Sequence, residues 1–278
     1  MGDLIYRLLL FLNSTKENDI NYTIATTMLH NINNISHMQI NKLADICYTS
    51  PAAISRFCRK LGYSNLSEFK KSALFNKNIY SVGSLKAKGI NLNTSREDIL
   101  NNMSLEINQE ILELRNSLDL KIVDLVIDLI FSSTNVSIFG TQYSQLMAQE
   151  LQRKLIMVGK LIYHRIDVQE QEKLAEDLKE NSLAILISPA GRFTLYHENL
   201  WNKIKNSKAT VVIITENKDR EFINIEYKNR ANYIIYLPKK KDPNIYIDPH
   251  RYALTYLIEY IYVRFGNLYM NKNTPTFL

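Results

Sequence analysis

Ser50, Ser55, Arg56 and Arg59 place two hydroxyls and two guanidiniums within ten residues of chain. Groups of this kind hydrogen-bond to phosphate oxygens and to the edges of bases. Thr49 and Lys60 flank them, and the stretch Thr49–Tyr63 reads as a turn, a capped basic helix and a helix stop. Ser50 suits the N-cap, where its hydroxyl accepts from an otherwise unpaired first-turn N–H. Pro51 suits the first helical position, because its missing N–H costs nothing there. Ala53, Ile54, Phe57, Cys58 and Leu61 form an apolar stripe at i, i+3/i+4 spacing. Ala52, Ser55, Arg56, Arg59 and Lys60 are left toward the other side, and Gly62 can end the helix in a left-handed conformation. A short helix with an apolar back and a small-plus-basic front suits insertion into a DNA major groove.

The preceding segment, Met38–Cys47, carries Ile40, Leu43, Ala44 and Cys47 on one face and ends at Tyr48-Thr49. Two helices joined by so short a turn make a helix-turn-helix unit; the alternative is two ordinary packed helices of an α-bundle. Charge separates the two readings. From Arg56 to Lys77 there are six cations against the single carboxylate of Glu68, a local charge of +5. That favours a polyanion, and double-stranded DNA is the expected partner. Arg59 is the stronger base-reading candidate, since guanine offers two acceptors to a guanidinium. Arg56 is the candidate for a phosphate, although the sequence leaves the two roles interchangeable.

A second chemistry is written at two predicted strand ends. Ile138-Phe139-Gly140-Thr141-Gln142-Tyr143-Ser144 and Leu186-Ile187-Ser188-Pro189-Ala190-Gly191-Arg192-Phe193-Thr194 each leave an apolar run through glycine and hydroxyl residues. A strand that turns this way into a helix presents free N–H groups and the positive end of a helix dipole, which favour an anion such as phosphate. The bland alternative is an ordinary strand-to-helix connection.

The elements that must position these residues differ between the two ends of the chain. Helices are predicted over Asp3–Leu12, Asp19–Ile32, Gln39–Cys47, Pro51–Leu61 and Leu66–Phe75, with Asp19 and Ser67 as N-caps. Periodicity fades between Asn76 and Ser95, the expected linker. Two further helices, Glu97–Ser117 and Lys121–Phe131, lead into an alternating pattern. Strands are expected at Asn135–Phe139, Leu161–His164, Leu183–Ser188, Thr210–Thr215 and Tyr233–Leu237. Helices are expected at Gln142–Met157, Val168–Glu180, Leu195–Asn206 and Pro249–Phe265. Strands as continuously apolar as Leu183–Ile187 belong in a parallel sheet covered on both faces. The predicted fold is therefore two-domain: an all-α helix-turn-helix domain (1–77), a linker (78–96) and a three-layer α/β sandwich with a parallel sheet (97–278). Ligands are expected outside the carboxyl ends of the strands.

Whole-chain values agree. A chain of 278 residues, 46% hydrophobic with a net charge of +6, can bury two cores and is mildly basic. Cys47 and Cys58 are eleven apart, occupy apolar helical positions and lack a paired metal spacing, which points to reduced core thiols in a cytoplasmic protein. The Leu4–Leu12 run is broken by Arg7 and lacks a cleavage site, so it is a poor signal peptide, and no stretch reaches a membrane span. No metal or cofactor is expected.

Ser50-Pro51 and Arg56-Phe57-Cys58-Arg59-Lys60-Leu61-Gly62-Tyr63 resemble the DNA-binding domain of the RpiR (MurR/RpiR) bacterial transcription regulators. The α/β half resembles the SIS, or sugar isomerase, domain that those regulators carry. The resemblance covers nearly the entire chain and implies an SIS domain that binds a phosphorylated sugar or amino sugar and tunes operator binding by a homodimer or homotetramer. The family's first ligand loop reads Gly-x-Gly-x-Ser; Gly140 and Ser144 match, and Gln142 replaces the second glycine. Its second reads Ser-x-Ser-Gly-x-Thr/Ser; Ser188 and Gly191 match, Ala190 replaces a serine and Phe193 the final hydroxyl residue. Losing a hydroxyl and a glycine removes a phosphate donor and a close backbone approach. Arg192 and Thr194 are candidates to compensate, and His250-Arg251 stands where the family often has Ser-Arg, which makes Arg251 another candidate contact. Two other readings remain. In one, a degenerate SIS domain only dimerises or senses a non-sugar signal, Tyr252, Tyr256, Tyr260 and Tyr262 supplying interface aromatics. In the other, the domain is a sugar-phosphate isomerase, for which His197 and Glu198 are the nearest base candidates and His164 a pocket-lining residue. An attached helix-turn-helix argues against catalysis.

Overall fold

The computed structural model describes residues 3–16, 19–76, 93–216, 227, 229–239 and 250–270, and the chain divides into two units, Met1–Leu92 and Asn93–Leu278. The expected linker lies outside the described residues through position 92, and its last residue, Arg96, begins a helix.

The first unit contains α1 (Asp3–Ser14), α2 (Ile20–His30), α3 (Ile40–Ile46), α4 (Pro51–Lys60) and α5 (Leu66–Asn76), with a 3-10 turn at Ile35–His37. Leu4, Leu8, Ile24, Met28, Ile35, Leu43, Ile54, Phe57 and Phe69 are fully buried together. Asp19 caps α2, accepting from Asn21 N at 2.8 Å, and Ser50 caps α4, accepting from Ala53 N at 3.2 Å. Ser67 does not cap α5. Asn65 Oδ1 accepts from Glu68 N at 2.9 Å while Glu68 Oε2 accepts from Ser64 N at 2.7 Å. Asn65 is thus the cap, two residues earlier, and the Glu68 carboxylate reaches back past it to Ser64. Both cysteines are buried free thiols. Burial pushes Cys47 up to about 11 and Cys58 up to about 12, so neither is a thiolate near neutral pH.

The second unit opens with α6 (Arg96–Ser117) and α7 (Leu120–Ser132), then alternates. Its strands are β1 (Asn135–Phe139), β2 (Tyr163–His164), β3 (Ser182–Ile187), β4 (Thr210–Glu216) and β5 (Tyr233–Leu237). Between and after them run α8 (Tyr143–Met157), α9 (Val168–Glu176), α10 (Phe193–Tyr196), α11 (Glu198–Asn206) and α12 (Arg251–Tyr269). The strands pair in parallel in the order β2-β1-β3-β4-β5. Alternate strand residues serve opposite layers. Val136, Ile138, Leu183, Ile185, Val212 and Ile214 pack under Val126, Ile130, Leu151, Leu254 and Ile258 of α7, α8 and α12. Phe139, Ala184, Leu186, Val211 and Ile213 pack against Leu174, Leu200, Trp201 and Ile204 of α9 and α11. The domain is thus a three-layer α/β sandwich.

Several elements depart from their sequence readings, and α9 ends at Glu176 instead of Glu180. β2 is only Tyr163–His164 instead of Leu161–His164. The expected helix Leu195–Asn206 is two, broken at His197 with φ −136° and ψ 52°. His197 is buried with its ring 5.2 Å from that of Phe193, one turn earlier. The last helix runs on to Tyr269, whose ring stacks on Phe131 with centroids 3.9 Å apart. Pro249, expected at its start, lies outside the described residues.

Candidate functional site

On α4 the burial of Ile54, Phe57 and Cys58 turns the opposite side outward. Ser50, Ala52, Arg56 and Arg59 are exposed, and Thr49 and Ser55 are half-buried. Gly62, at φ +86°, closes the helix as anticipated: its N–H donates to Arg59 O and that of Tyr63 to Cys58 O. Arg7, which the sequence reading passed over, holds this end in place. Its Nη1 donates to Leu61 O at 2.8 Å, and its guanidinium lies 4.6 Å over the Tyr63 ring. The only sequence signal was a cation inside an otherwise apolar run. Lys60 is exposed as well, its ammonium 3.8 Å from Asp19 and 5.0 Å over the Phe11 ring.

In the sandwich, strand order reverses between β1 and β3, and a crevice for ligands opens outside the carboxyl ends of strands at such a point. Phe139 pairs with Leu186, so the loops that follow these two strands are neighbours. A Cβ at Gly140 would stand 2.7 Å from Ser144 Cβ and 3.1 Å from Ile187 O, an approach only glycine permits. Gln171, fully buried on α9, clamps the same residue, accepting from Gly140 N at 3.1 Å and donating to Gly140 O at 2.9 Å. Gln142 has φ 58° and ψ −121°, a conformation that favours glycine. The first loop therefore holds a glutamine in a conformation that glycine adopts more readily.

The second loop is turned inward. Ser188 Oγ accepts from Phe193 N at 3.3 Å and from the Tyr227 hydroxyl at 3.1 Å. Phe193 is buried among Leu200, Trp201 and Tyr227. Gly191 has φ +65° and donates to Ser188 O at 2.8 Å. Arg192 is exposed and Thr194 half-buried.

The amino end of α12 supplies a third wall. Tyr143, first residue of α8, places its hydroxyl 3.1 Å from Arg251 O and 2.7 Å from Thr255 Oγ1, and the Arg251 guanidinium lies 4.7 Å over its ring. Glu110 of α6 caps α12, accepting from Ala253 N at 3.1 Å. Its other oxygen is buried with no partner among the described residues, and burial raises its pKa above the ordinary carboxylate value. Glu216, at the end of β4, pairs with His250 at 3.0 Å and donates its N–H to Pro189 O at 2.7 Å. Gln171, Tyr143, Glu110 and Glu216 were missed by sequence reasoning because each acts over 27 residues or more of chain separation or through backbone groups. His197 is buried, its ring 5.2 Å from that of Phe193, and Glu198 is exposed at the start of α11. His164 is buried, and desolvation lowers its pKa. A depression of about 570 Å³ lined by Lys179, Lys203 and Ser207 sits at the amino ends of β3 and β4, opposite the crevice.

Residues 10–76 match the model of the helix-turn-helix domain of the rpiR family, and residues 129–257 match that of the SIS domain. Together the two span well over half of the chain. The chain belongs to the RpiR family. This RpiR-family chain is 26% identical over 194 residues to an uncharacterised HTH-type transcriptional regulator in the aarA 3′ region of Providencia stuartii, covering 69% of this chain and 67% of the relative. It is 26% identical over 178 residues to the HTH-type transcriptional regulator GlvR of Bacillus subtilis, covering 64% of this chain and 63% of that one. The fold matches that of the Vibrio vulnificus NanR protein complexed with ManNAc-6P at a TM-score of 0.53 and 16% identity, over 96% of this chain and 93% of that one. No helix among the described residues is long and apolar enough to cross a membrane.

Proposed function

We propose that this chain is a cytoplasmic, DNA-binding regulator of a bacterial carbohydrate or amino-sugar operon, controlled by a phosphorylated sugar or amino sugar bound in its SIS domain. It acts as a homodimer or homotetramer without catalysis. Arg59 reads a base edge, Arg56 holds a phosphate, and Thr49, Ser50 and Ser55 flank them at the groove. The effector site is formed by Gly140, Ser144, Ser188, Gly191, Arg192, Thr194 and Arg251. An effector with different affinity for two arrangements of the oligomer shifts operator affinity by linkage.

The observation that carries the effector reading is the first loop. At the switch point of the sheet Gly140 is packed too closely for a Cβ and Gln142 holds a glycine-favouring, strained backbone, which supports a loop shaped for a ligand. The ManNAc-6P complex of the Vibrio neighbour supports the amino-sugar class. A second reading rests on the second loop, where Ser188 and Phe193 serve the interior; there the domain only dimerises or senses another signal. Thermal unfolding against sugar phosphates, N-acetylmannosamine 6-phosphate among them, separates the two. A ligand at 100 times its Kd stabilises by about 2.7 kcal/mol. A selective rise of the midpoint supports the sugar-phosphate reading; no shift across the series supports the second.

A further inference from the structure

The turn between α3 and α4 contains a residue that the free protein does not explain. Tyr48 has φ +50°, in the left-handed region. Its N–H donates to Asp45 O at 3.1 Å and that of Thr49 to Ala44 O at 3.0 Å, the pair of bonds that requires a left-handed residue just past a helix end. The same closure after α4 is made by Gly62. Glycine fits this position without strain, whereas a Cβ crowds the following carbonyl. Packing does not compensate, since Tyr48 is 89% exposed, the highest value among the exposed large hydrophobic residues described. The left-handed backbone lowers the stability of the free domain, and a ring left in water returns nothing by burial.

Its neighbours identify what would reward it. Tyr48 immediately precedes Thr49 and the Ser50 cap, and Arg56 and Arg59 are exposed further along the same helix, as is Lys42 on α3. In a helix-turn-helix the helix entering the groove is flanked by the phosphate backbone, and tyrosine hydroxyls are among the groups that hydrogen-bond to phosphate oxygens. We propose that Tyr48 is a DNA-contact residue, its left-handed backbone directing the ring to the rim of the groove, where the hydroxyl donates to a phosphate oxygen. This rests on the DNA-binding reading of α4.

The test compares full-length wild type, Tyr48→Phe, Tyr48→Gly and Arg56→Ala on a duplex that the wild type recovers from a random-sequence pool. Tyr48→Phe keeps ring and backbone, and should weaken binding about tenfold, as expected for loss of a hydrogen bond to a charged group. A neutral donor displaces no counterion, so its salt slope should stay that of wild type, while Arg56→Ala loses roughly one unit. Tyr48→Gly should weaken binding at least as much while raising the unfolding midpoint. Wild-type affinity in Tyr48→Phe would overturn the proposal. So would a change of sedimentation behaviour with DNA affinity intact, which would assign the ring to a contact between copies. Failure of the wild type to bind any duplex would remove the DNA reading itself, and this inference with it.

Discussion

Both candidate sites place a side chain where the backbone favours glycine, and they do so differently. Tyr48 stands at φ +50° in the helix-turn-helix unit, with its ring in solvent and the neighbouring Ser50, Arg56 and Arg59 facing outward. Gln142 stands at φ 58° and ψ −121° in the sandwich, beside a second loop whose serine accepts from Phe193 N and Tyr227. The first surface has its polar groups turned outward for a partner. The second has its backbone shape prepared but one of its hydroxyls engaged inside the protein. A motif read from sequence reports residue types at positions; whether those groups face a ligand depends on bonds to residues far along the chain.

The largest effect is expected on the outward surface. Arg59→Ala should cost about 1–3 kcal/mol of DNA binding, roughly a tenfold loss or more, and relax preference at one base position, as read by anisotropy with substituted duplexes. A uniform loss across sequences with a shallower salt slope would instead exchange the roles of Arg56 and Arg59. In the sandwich, Gly140→Ala would push a Cβ to 2.7 Å from Ser144 and against Ile187 O, so overpacking should lower stability by about 1–3 kcal/mol in denaturant titration. An unchanged transition would show that the two loops yield freely, and the prepared-backbone account would fail.

The helical unit was readable from sequence because its determinants are local. Ser50, Pro51 and Gly62 specify where α4 starts and stops within twelve residues, and Asp19 marks where α2 starts. β1 and β5 were legible to the residue as apolar runs bounded by polar ones. Ser67 misled because Asn65 caps the helix through Glu68 N, while Glu68 binds Ser64 ahead of it. Gln171 could not be found, because the clamp on Gly140 joins residues 31 apart through a backbone amide. Lys60 was placed with the outward cations by helical position alone, and only the fold shows Asp19 beside it.

A smaller change sharpens the contrast between the two strained residues. Gln142→Gly releases about 1–3 kcal/mol of backbone strain and returns about 0.5–1 kcal/mol through the more flexible unfolded chain. The net gain of about 1 kcal/mol should raise the midpoint of the sandwich by about 2–4 °C. No gain would show that Gln142 is rewarded in the free protein.

The smallest effect concerns Glu110. Its folded-state pKa lies above the unfolded value because burial opposes ionisation. The folded state therefore holds the proton more tightly, and this contribution to stability is present at low pH and lost as pH rises through the folded pKa. Glu110→Gln should flatten the fall of the unfolding midpoint from pH 4 upward, relative to wild type. An identical pH profile would mean that the unpartnered oxygen is solvated.

Regulation by an effector requires coupling between effector binding and DNA binding. Full-length protein is titrated onto its recovered duplex at one fixed salt concentration, with and without each sugar phosphate that raises the unfolding midpoint. The account predicts that at least one of them changes operator affinity by about 5- to 150-fold, the ordinary range of an allosteric coupling. A sugar phosphate that binds at saturation and leaves DNA affinity unmoved would contradict it.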